Sequence, residues 1–392
     1  MSEARINRIS NEKGDGGPSL SGITTFSGLN YFVPPKGTTA ERPSDCPPGS
    51  IRFNTDSAHI EYFSGLQWLE FEATNDELGI ANSGISSASG GLGHRGIFGG
   101  GYTTGNINEQ QYITISTLGT ALDFGDLSSA RRDVGSCSSS TRCLFAGGTP
   151  STTTIDFVVF SSTGSNATFG TFTARRGTSG CSNATRGLFA GGDPGSSPNR
   201  TNLIEYVTLA STGSAQDFGD INDSVGSSGG DQACASPVRG IFGLGSVGPA
   251  SRTNIISYLT ISSTGNAQDF GDLTREITGI TVMSNSTRGV FAGGSTAGSA
   301  PNFATNDIEF ITIATTGNAQ DFGDLVEIRR AAGGFASPTR GIVGGGATGP
   351  AAKENIDYFE IATTGNAQDF GDLVSGVGVQ QNYGSSNGHG GL

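Results

Sequence analysis

Long apolar runs, histidine and positive charge are all scarce in this chain. No stretch of about eighteen apolar residues occurs, so no transmembrane helix is expected. The segment Met1 to Ser19 is polar and carries no apolar signal region, so synthesis in a cytoplasm is expected. Lysine and arginine number 22 against 35 acidic residues, a net charge of −13. A nucleic-acid partner needs a basic face, and this balance excludes one. The three histidines, His59, His94 and His389, lie in different regions and none recurs. No Cys/His or His/carboxylate spacing marks a metal site, and no cofactor is expected. A helical apolar period is missing throughout. The collagen triplet period is missing too, although glycine accounts for 64 of 392 residues.

What fills the chain is repetition. A Thr-Arg-Gly-apolar-Phe-Ala-Gly-Gly block places arginine at Arg95, Arg142, Arg186, Arg239, Arg288 and Arg340. A Thr-Gly-Asn-Ala-Gln-Asp-Phe-Gly-Asp-Leu block places phenylalanine at Phe124, Phe169, Phe218, Phe270, Phe322 and Phe370. The spacing, about 44 to 53 residues, is that of propeller blades and similar arrays. Each copy holds four strand candidates: a small-residue stretch such as Val134 to Ser138, the block after the arginine, an apolar stretch such as Ile308 to Ile313, and the stretch ending in the phenylalanine. Ile308 and Phe310 point one way, Ile311 and Ile313 the other, so this sheet must be covered on both faces. Four strands in six copies give a six-bladed β-propeller, with a linear β array as the alternative. A seventh first strand, roughly Val377 to Ser386, is expected to close the ring beside blade one in preference to Ile85 to Ser89.

Cys137, Cys181 and Cys234 each stand five residues before the block arginine, and Met283 and Phe335 take that place in two other copies. A position that accepts Cys, Met or Phe is a packing position, not a disulfide or metal ligand. Cys46 stands alone. Ahead of the repeats, residues 1–45 are polar and read as an extended anchoring arm. Residues 46–84 hold a hairpin, Ile51 to Tyr62, a third strand at Trp68 to Phe71, and a linker. So short a unit buries little apolar surface alone and is expected to pack on a partner.

The Asp-Phe-Gly triplet occurs without a phosphate loop, pairing lysine or catalytic loop, which excludes a kinase. Its expected role is structural: phenylalanine between blades, glycine at a turn, aspartates capping locally. The glycine runs 99–101 and 344–346 lack the Gly-Lys-Ser/Thr ending of a nucleotide loop. The block arginines are expected to pair with carboxylates of the same or adjacent blade. A second set, Arg132, Arg176, Arg275 and Arg330, either rims one channel mouth or pairs with the fourth-strand aspartates. No serine triad and no acid pair set apart from the repeat is found, so no enzyme is expected. The most variable parts are the connections between strands two and three. They carry Tyr102, Arg200, Arg252, Phe303 and Lys353, the candidate binding residues.

Two resemblances follow from these residues. An apolar strand ending in Gly-Gly, an aromatic-bearing strand (Tyr206, Tyr258, Phe310, Tyr358) and a bulky aromatic in strand four resemble the kelch repeat. Phenylalanine here replaces the kelch tryptophan. Pro47-Pro48-Gly49-Ser50-Ile51-Arg52-Phe53-Asn54-Thr55, continuing through Ile60-Glu61-Tyr62-Phe63 to Trp68, resembles a segment of virion structural and tail-fibre proteins of tailed bacteriophages. Tyr31 to Gly37 and the Thr-Thr-Gly-Asn-Ala repeats are similar to proteins of phages infecting marine cyanobacteria. These resemblances imply an all-β, kelch-like six-bladed propeller over residues 85–392, displayed from a virion. Residues 1–84 would contact other virion proteins, and a symmetric homo-oligomer is expected. The loops would bind a host-surface glycan or protein, as in a tail fibre. Capsid decoration and a glycan-processing propeller enzyme are the alternatives.

Overall fold

The computed structural model describes residues 34–57, 59–70, 94–195, 200–225, 233–243, 246–247, 251–296, 303–349, 351–374 and 378–392. The rest of the expected arm, the linker and Ile85 to Ser89 lie outside the described residues. The chain divides into two compact units, Met1–Asn75 and Asp76–Leu392. Both are built of β-strands; among the described residues the one helical element is the 3-10 turn Thr39–Glu41.

The first unit is a four-stranded sheet in the order Lys36–Gly37, Ile51–Asn54, His59–Phe63, Trp68–Glu70. The last three strands are antiparallel, as the alternation of Ile51, Phe53, Ile60 and Tyr62 predicts. Lys36–Gly37, inside the stretch read as an arm, adds in parallel to the Phe53–Asn54 end. Glu61 is fully buried and holds this unit together. Arg42 donates to it at 2.6 Å, Asn54 Nδ2 donates at 3.2 Å, and Arg52 lies at 3.5 Å. The Arg42 bond is the main reason its carboxyl is held below the usual range.

The second unit contains six antiparallel sets of four strands, numbered here as sheets 1 to 6. Sheet 1 is Tyr383–Ser386, Arg95–Tyr102, Asn106–Thr114 and Leu122–Asp126. Sheet 2 is Gly135–Ser138, Arg142–Ala146, Thr152–Val159 and Ala167–Arg175. Sheet 3 is Ser179–Ser182, Arg186–Ala190, Thr201–Thr208 and Gln216–Val225. Sheet 4 is Ala233–Ala235, Arg239–Gly243, Ser251–Thr260 and Gln268–Ile277. Sheet 5 is Thr281–Ser284, Arg288–Ala292, Thr305–Thr312 and Gln320–Arg329. Sheet 6 is Gly333–Ala336, Arg340–Gly344, Asn355–Glu360 and Gln368–Asp372. Ser246–Val247 pairs with both Val225 and the Ser251–Arg252 end, which joins sheets 3 and 4 along one edge. Sheet 1 takes its first strand from the far end of the chain: Ser385 lies opposite Ile97.

The Asp-Phe-Gly triplet, which reads Thr168-Phe169-Gly170 in sheet 2, has the same job in every sheet. In sheet 5 Ile308 pairs with Gly323 and Glu309 with Asp321, so Phe322 is an extra residue, a bulge in strand four. The other five sheets repeat this register shift. The bulged phenylalanine is buried and meets the third-strand aromatic edge-on, as in Phe310–Phe322 at 5.9 Å. The glycine therefore sits in a strand, not at the turn expected from sequence. Gly219, Gly271, Gly323 and Gly371 have φ of 142–149°, and a side chain on any of them would overlap the carbonyl of the next sheet's turn glycine. That turn is the Thr-Gly-Asn-Ala segment. Gly317 N–H donates to Phe270 O and Ala319 N–H to Asp272 O, both at 2.8 Å. The flanking Asp217, Asp269 and Asp321 are exposed.

Candidate functional site

The block arginines are sheet-to-sheet fasteners. Each lies over the third-strand aromatic of its own sheet, at 4.7 Å for Arg186 on Tyr206, Arg239 on Tyr258 and Arg288 on Phe310. Each then donates to backbone carbonyls of the next sheet. Arg95 reaches Phe160 O at 2.7 Å, Arg142 reaches Leu209 O at 3.1 Å, and Arg186 reaches Ile261 O at 3.0 Å. Arg239 reaches Ile313 O at 2.8 Å, Arg288 reaches Ile361 O at 2.9 Å, and Arg340 reaches Ile115 O at 3.2 Å. The last bond leads from sheet 6 back to sheet 1. The carboxylate partners expected from sequence are replaced by carbonyls, except that Arg340 also meets Glu360 at 3.0 Å. The reason is geometric: third strands end with unpaired carbonyls where the guanidinium emerges.

A second set of links was not read from sequence. Arg131, Arg175 and Arg329 are fully buried. They pair with third-strand acids of the following sheet: Asp156 at 2.7 Å, Glu205 at 2.6 Å and Asp357 at 2.9 Å. Loss of water lowers the pKa of all three guanidiniums and raises that of Asp357, against the attraction within each pair. The same acids accept a backbone N–H from the fourth residue after the bulged phenylalanine, as Asp156 does from Ser128 at 3.0 Å. Between sheets 4 and 5 the acid is Glu309, bonded by Thr274 N–H at 2.9 Å and near Arg275. Where strand four supplies no arginine, the acid is gone. Sheet 4 has Ser257 and sheet 1 has Gln111, which accepts from Val374 N–H at 2.7 Å. The signal available in sequence was the doublets Arg131-Arg132, Arg175-Arg176 and Arg329-Arg330. Neighbours on a strand face opposite ways, and the outward member drew attention.

The first strands of all six sheets line one cavity of about 40 Å³, room for about a single water. Cys137, Cys181, Cys234, Met283 and Phe335 lie along it and pack against the glycine after the next sheet's block arginine: Gly187, Gly240, Gly289, Gly341 and Gly96 in turn. Sheet 2 alone has a larger residue there, Cys143, whose thiol meets the backbone of Ser385. Burial pushes all four of these thiols up, Cys234 to about 12. Residues 387–392 fold over one end of the cavity. His389 Nδ1 accepts from Gly391 N–H at 3.1 Å, which leaves Nε2–H to donate to Ser138 O at 3.0 Å. Gly390 N–H donates to Ser284 O at 2.9 Å. Loss of water moves the His389 pKa down to about 4.

Phe303 and Lys353 lie on the connections between strands two and three, whereas Tyr102 ends strand two of sheet 1 and Arg252 lies in strand three of sheet 4. Tyr102 stacks under Arg132 at 4.7 Å, and Phe303 under Arg330 at 4.8 Å. Arg252 Nε donates to Ser295 O at 3.0 Å, and Lys353 pairs with Glu327. Arg200 is half-buried at the start of the third strand of sheet 3. In the second arginine set, Arg176 pairs with Asp193 at 2.7 Å and Arg275 with Asp307. Arg132 lies 3.5 Å from Asp133. The fourth-strand aspartates are not their partners. Among the described residues, no group of three or more His, Cys, Asp or Glu is placed to hold a metal ion.

No protein-family model matches this chain, and no curated protein matches it.

Proposed function

We propose that the six sheets are the blades of a closed, kelch-like six-bladed propeller, and that the chain is a non-catalytic virion surface protein that binds through its variable connections. Three links support closure, each running from sheet 6 to sheet 1; the first two take the form that joins every other neighbouring pair, and the third the form found at all the others except sheets 3 and 4. They are Arg340 to Ile115 O, Gly119 N–H to Phe370 O, and Val374 N–H to Gln111. First strands lie beside one another in the order 1, 2, 3, 4, 5, 6 and back to 1. An open array would leave one set of links unmade at each end.

The observation that carries the functional reading is the use of the repeated polar residues. Block arginines, bulged Asp-Phe-Gly and buried ion pairs are engaged between sheets, so variation falls to the second-to-third strand connections. That is the arrangement of a rigid scaffold presenting loops. The Pro47-to-Trp68 resemblance points to a tailed-phage particle. The exposed Ile51, Ile60 and Leu66 of the first unit suit contact with other virion proteins, in a symmetric homo-oligomer. Tail fibre is the preferred location, with capsid decoration or spike as the other form of the same reading.

The test is antibody against residues 94–392 applied to purified particles, with mass spectrometry of their proteins. Label on tail or fibre supports receptor binding; label on the head supports decoration. Absence from particles by both measurements, or turnover of an oligosaccharide by the purified protein, overturns the reading.

A further inference from the structure

Most arginines described above have their charge answered by a carboxylate or seated between an aromatic face and carbonyls. Arg252 and Arg330 depart from this. Neither is within ion-pair distance of an acidic side chain among the described residues, and both meet the connection of sheet 5 that holds Ser295 and Phe303, Arg252 from sheet 4 and Arg330 from the end of strand four of sheet 5. Arg252 Nε donates to Ser295 O at 3.0 Å, and its Nη2 reaches Ser295 Oγ at 3.5 Å. Ser295 bridges to Ala304, the residue after Phe303, and the Arg330 guanidinium lies over the Phe303 ring at 4.8 Å. Arg330 is half-buried, and its Nε is shielded from solvent with no hydrogen-bond partner among the described residues. Loss of water, followed by the positive charge of Arg252, lowers the Arg330 pKa.

Two cations held near each other, one of them partly dehydrated, are mutually destabilising unless an anion lies between them. A guanidinium fork matches carboxylate or sulfate oxygens two at a time, and an aromatic ring beneath it fixes the plane of the fork. We infer that Arg252 and Arg330, oriented by Ser295 and Phe303, form an oxyanion-binding site that takes a carboxylate or sulfate group carried on a ligand. Arg132, which stands in its repeat where Arg330 does, shows what an answered arginine looks like. Tyr102 underlies Arg132, whose charge is answered by Asp133 and whose Nη1 donates to Asn106 at 3.2 Å. Between sheets 2 and 3, Asp193 answers Arg176 from within the chain. At the Arg252–Arg330 place the anion is left to come from outside. This inference stands on the arginines alone, whether or not the particle reading holds.

The test is calorimetric titration of the full chain with sodium sulfate and, separately, sodium glucuronate, at ionic strength held constant with sodium chloride. Saturable binding of at least one is expected; tighter glucuronate names a carboxylate ligand, tighter sulfate a sulfated one. Arg252→Gln and Arg330→Gln should each weaken binding about tenfold or more, as loss of a charge-assisted contact requires. Arg275→Gln, whose charge already meets Asp307, should leave affinity unchanged. Arg330→Lys, which keeps the charge without the fork, should fall between. No saturable heat with either anion overturns the inference, and this arm needs no variant. Equal affinity in the wild type and both Gln variants overturns it as well.

Discussion

Arg131 and Asp156 allow the logic of the sheet junctions to be tested. Both side chains are buried, with Arg131 Nη2 at 2.7 Å from Asp156 Oδ2 and at 3.3 Å from Phe145 O. Asp156→Ser strands a guanidinium in the interior and removes the acceptor for Ser128 N–H and Oγ. Such a change costs about 3–5 kcal/mol. Arg131→Val strands the carboxylate, but the two Ser128 donors remain, so the loss is smaller, about 2–4 kcal/mol. The double variant carries the residue types that the sequence has at the corresponding positions 225 and 257, and it leaves no charge in the interior. A packing loss and the unanswered Ser128 donors should then remain, about 2–3 kcal/mol. The coupling between the two sites should therefore be about 2 kcal/mol or more in favour of the double variant. Urea unfolding followed by circular dichroism measures it. Additive losses, agreeing within about 0.5 kcal/mol, would refute the claim that arginine and acid are exchanged as a pair.

Two further outcomes follow from packing and titration. A Cβ on Gly187 would sit 2.5 Å from Cys137 Sγ, so Gly187→Ala should destabilise by about 1–3 kcal/mol, and Cys137→Ser in the same chain should restore most of it; no rescue would mean the two do not share space. His389 is held neutral, with its pKa brought from 6.5 to about 4, so the unfolded chain takes up the proton first as pH falls. Its stabilising effect, at most about 3 kcal/mol, is complete above pH 6.5 and lost as pH drops toward 4. Proton NMR should show the ring titrating near 4 and residues 387–392 changing environment with it; titration near 6.5 would contradict the docked tail.

The repeated blocks were legible because each letter meets the same neighbour in every sheet. Alternation in strand three required cover on both faces, and Ile308 and Ile311 are both buried. The spacing of Cys137, Cys181 and Cys234 with Met283 and Phe335 marked a packing position, and all five are buried. Partners were harder to read than positions. A backbone carbonyl has no letter in the sequence, so Arg239 was matched to an acid when it binds Ile313 O. Asp-Phe-Gly looks like turn chemistry, and only the strand register reveals the bulge at Phe322. Arg131 was passed over for Arg132 because nothing local says which of two adjacent arginines faces inward. Lys36–Gly37 pairs through backbone groups alone, which leaves no apolar alternation to find.

The junction between sheets 6 and 1 joins residues from opposite ends of the second unit, and it carries Gln111 where four others carry an acid. Gln111 is buried and accepts the Val374 N–H at 2.7 Å; among the described residues no arginine side chain bonds to it. A neutral amide is the fitting residue there, since it satisfies the donor without placing a charge in the interior. Gln111→Glu should keep the acceptor but bury a carboxylate with a single donor. Its pKa in the folded chain should rise above the unfolded value of about 4.3. The penalty is then absent near pH 4, where the group is protonated in both states, and grows as pH climbs through the folded pKa. At pH 7 it should reach about 1–3 kcal/mol. Urea midpoints of the variant and the wild type at pH 4 and pH 7 decide the matter. A loss of equal size at both pH values would mean that shape, not charge, selects glutamine at the junction of sheets 6 and 1.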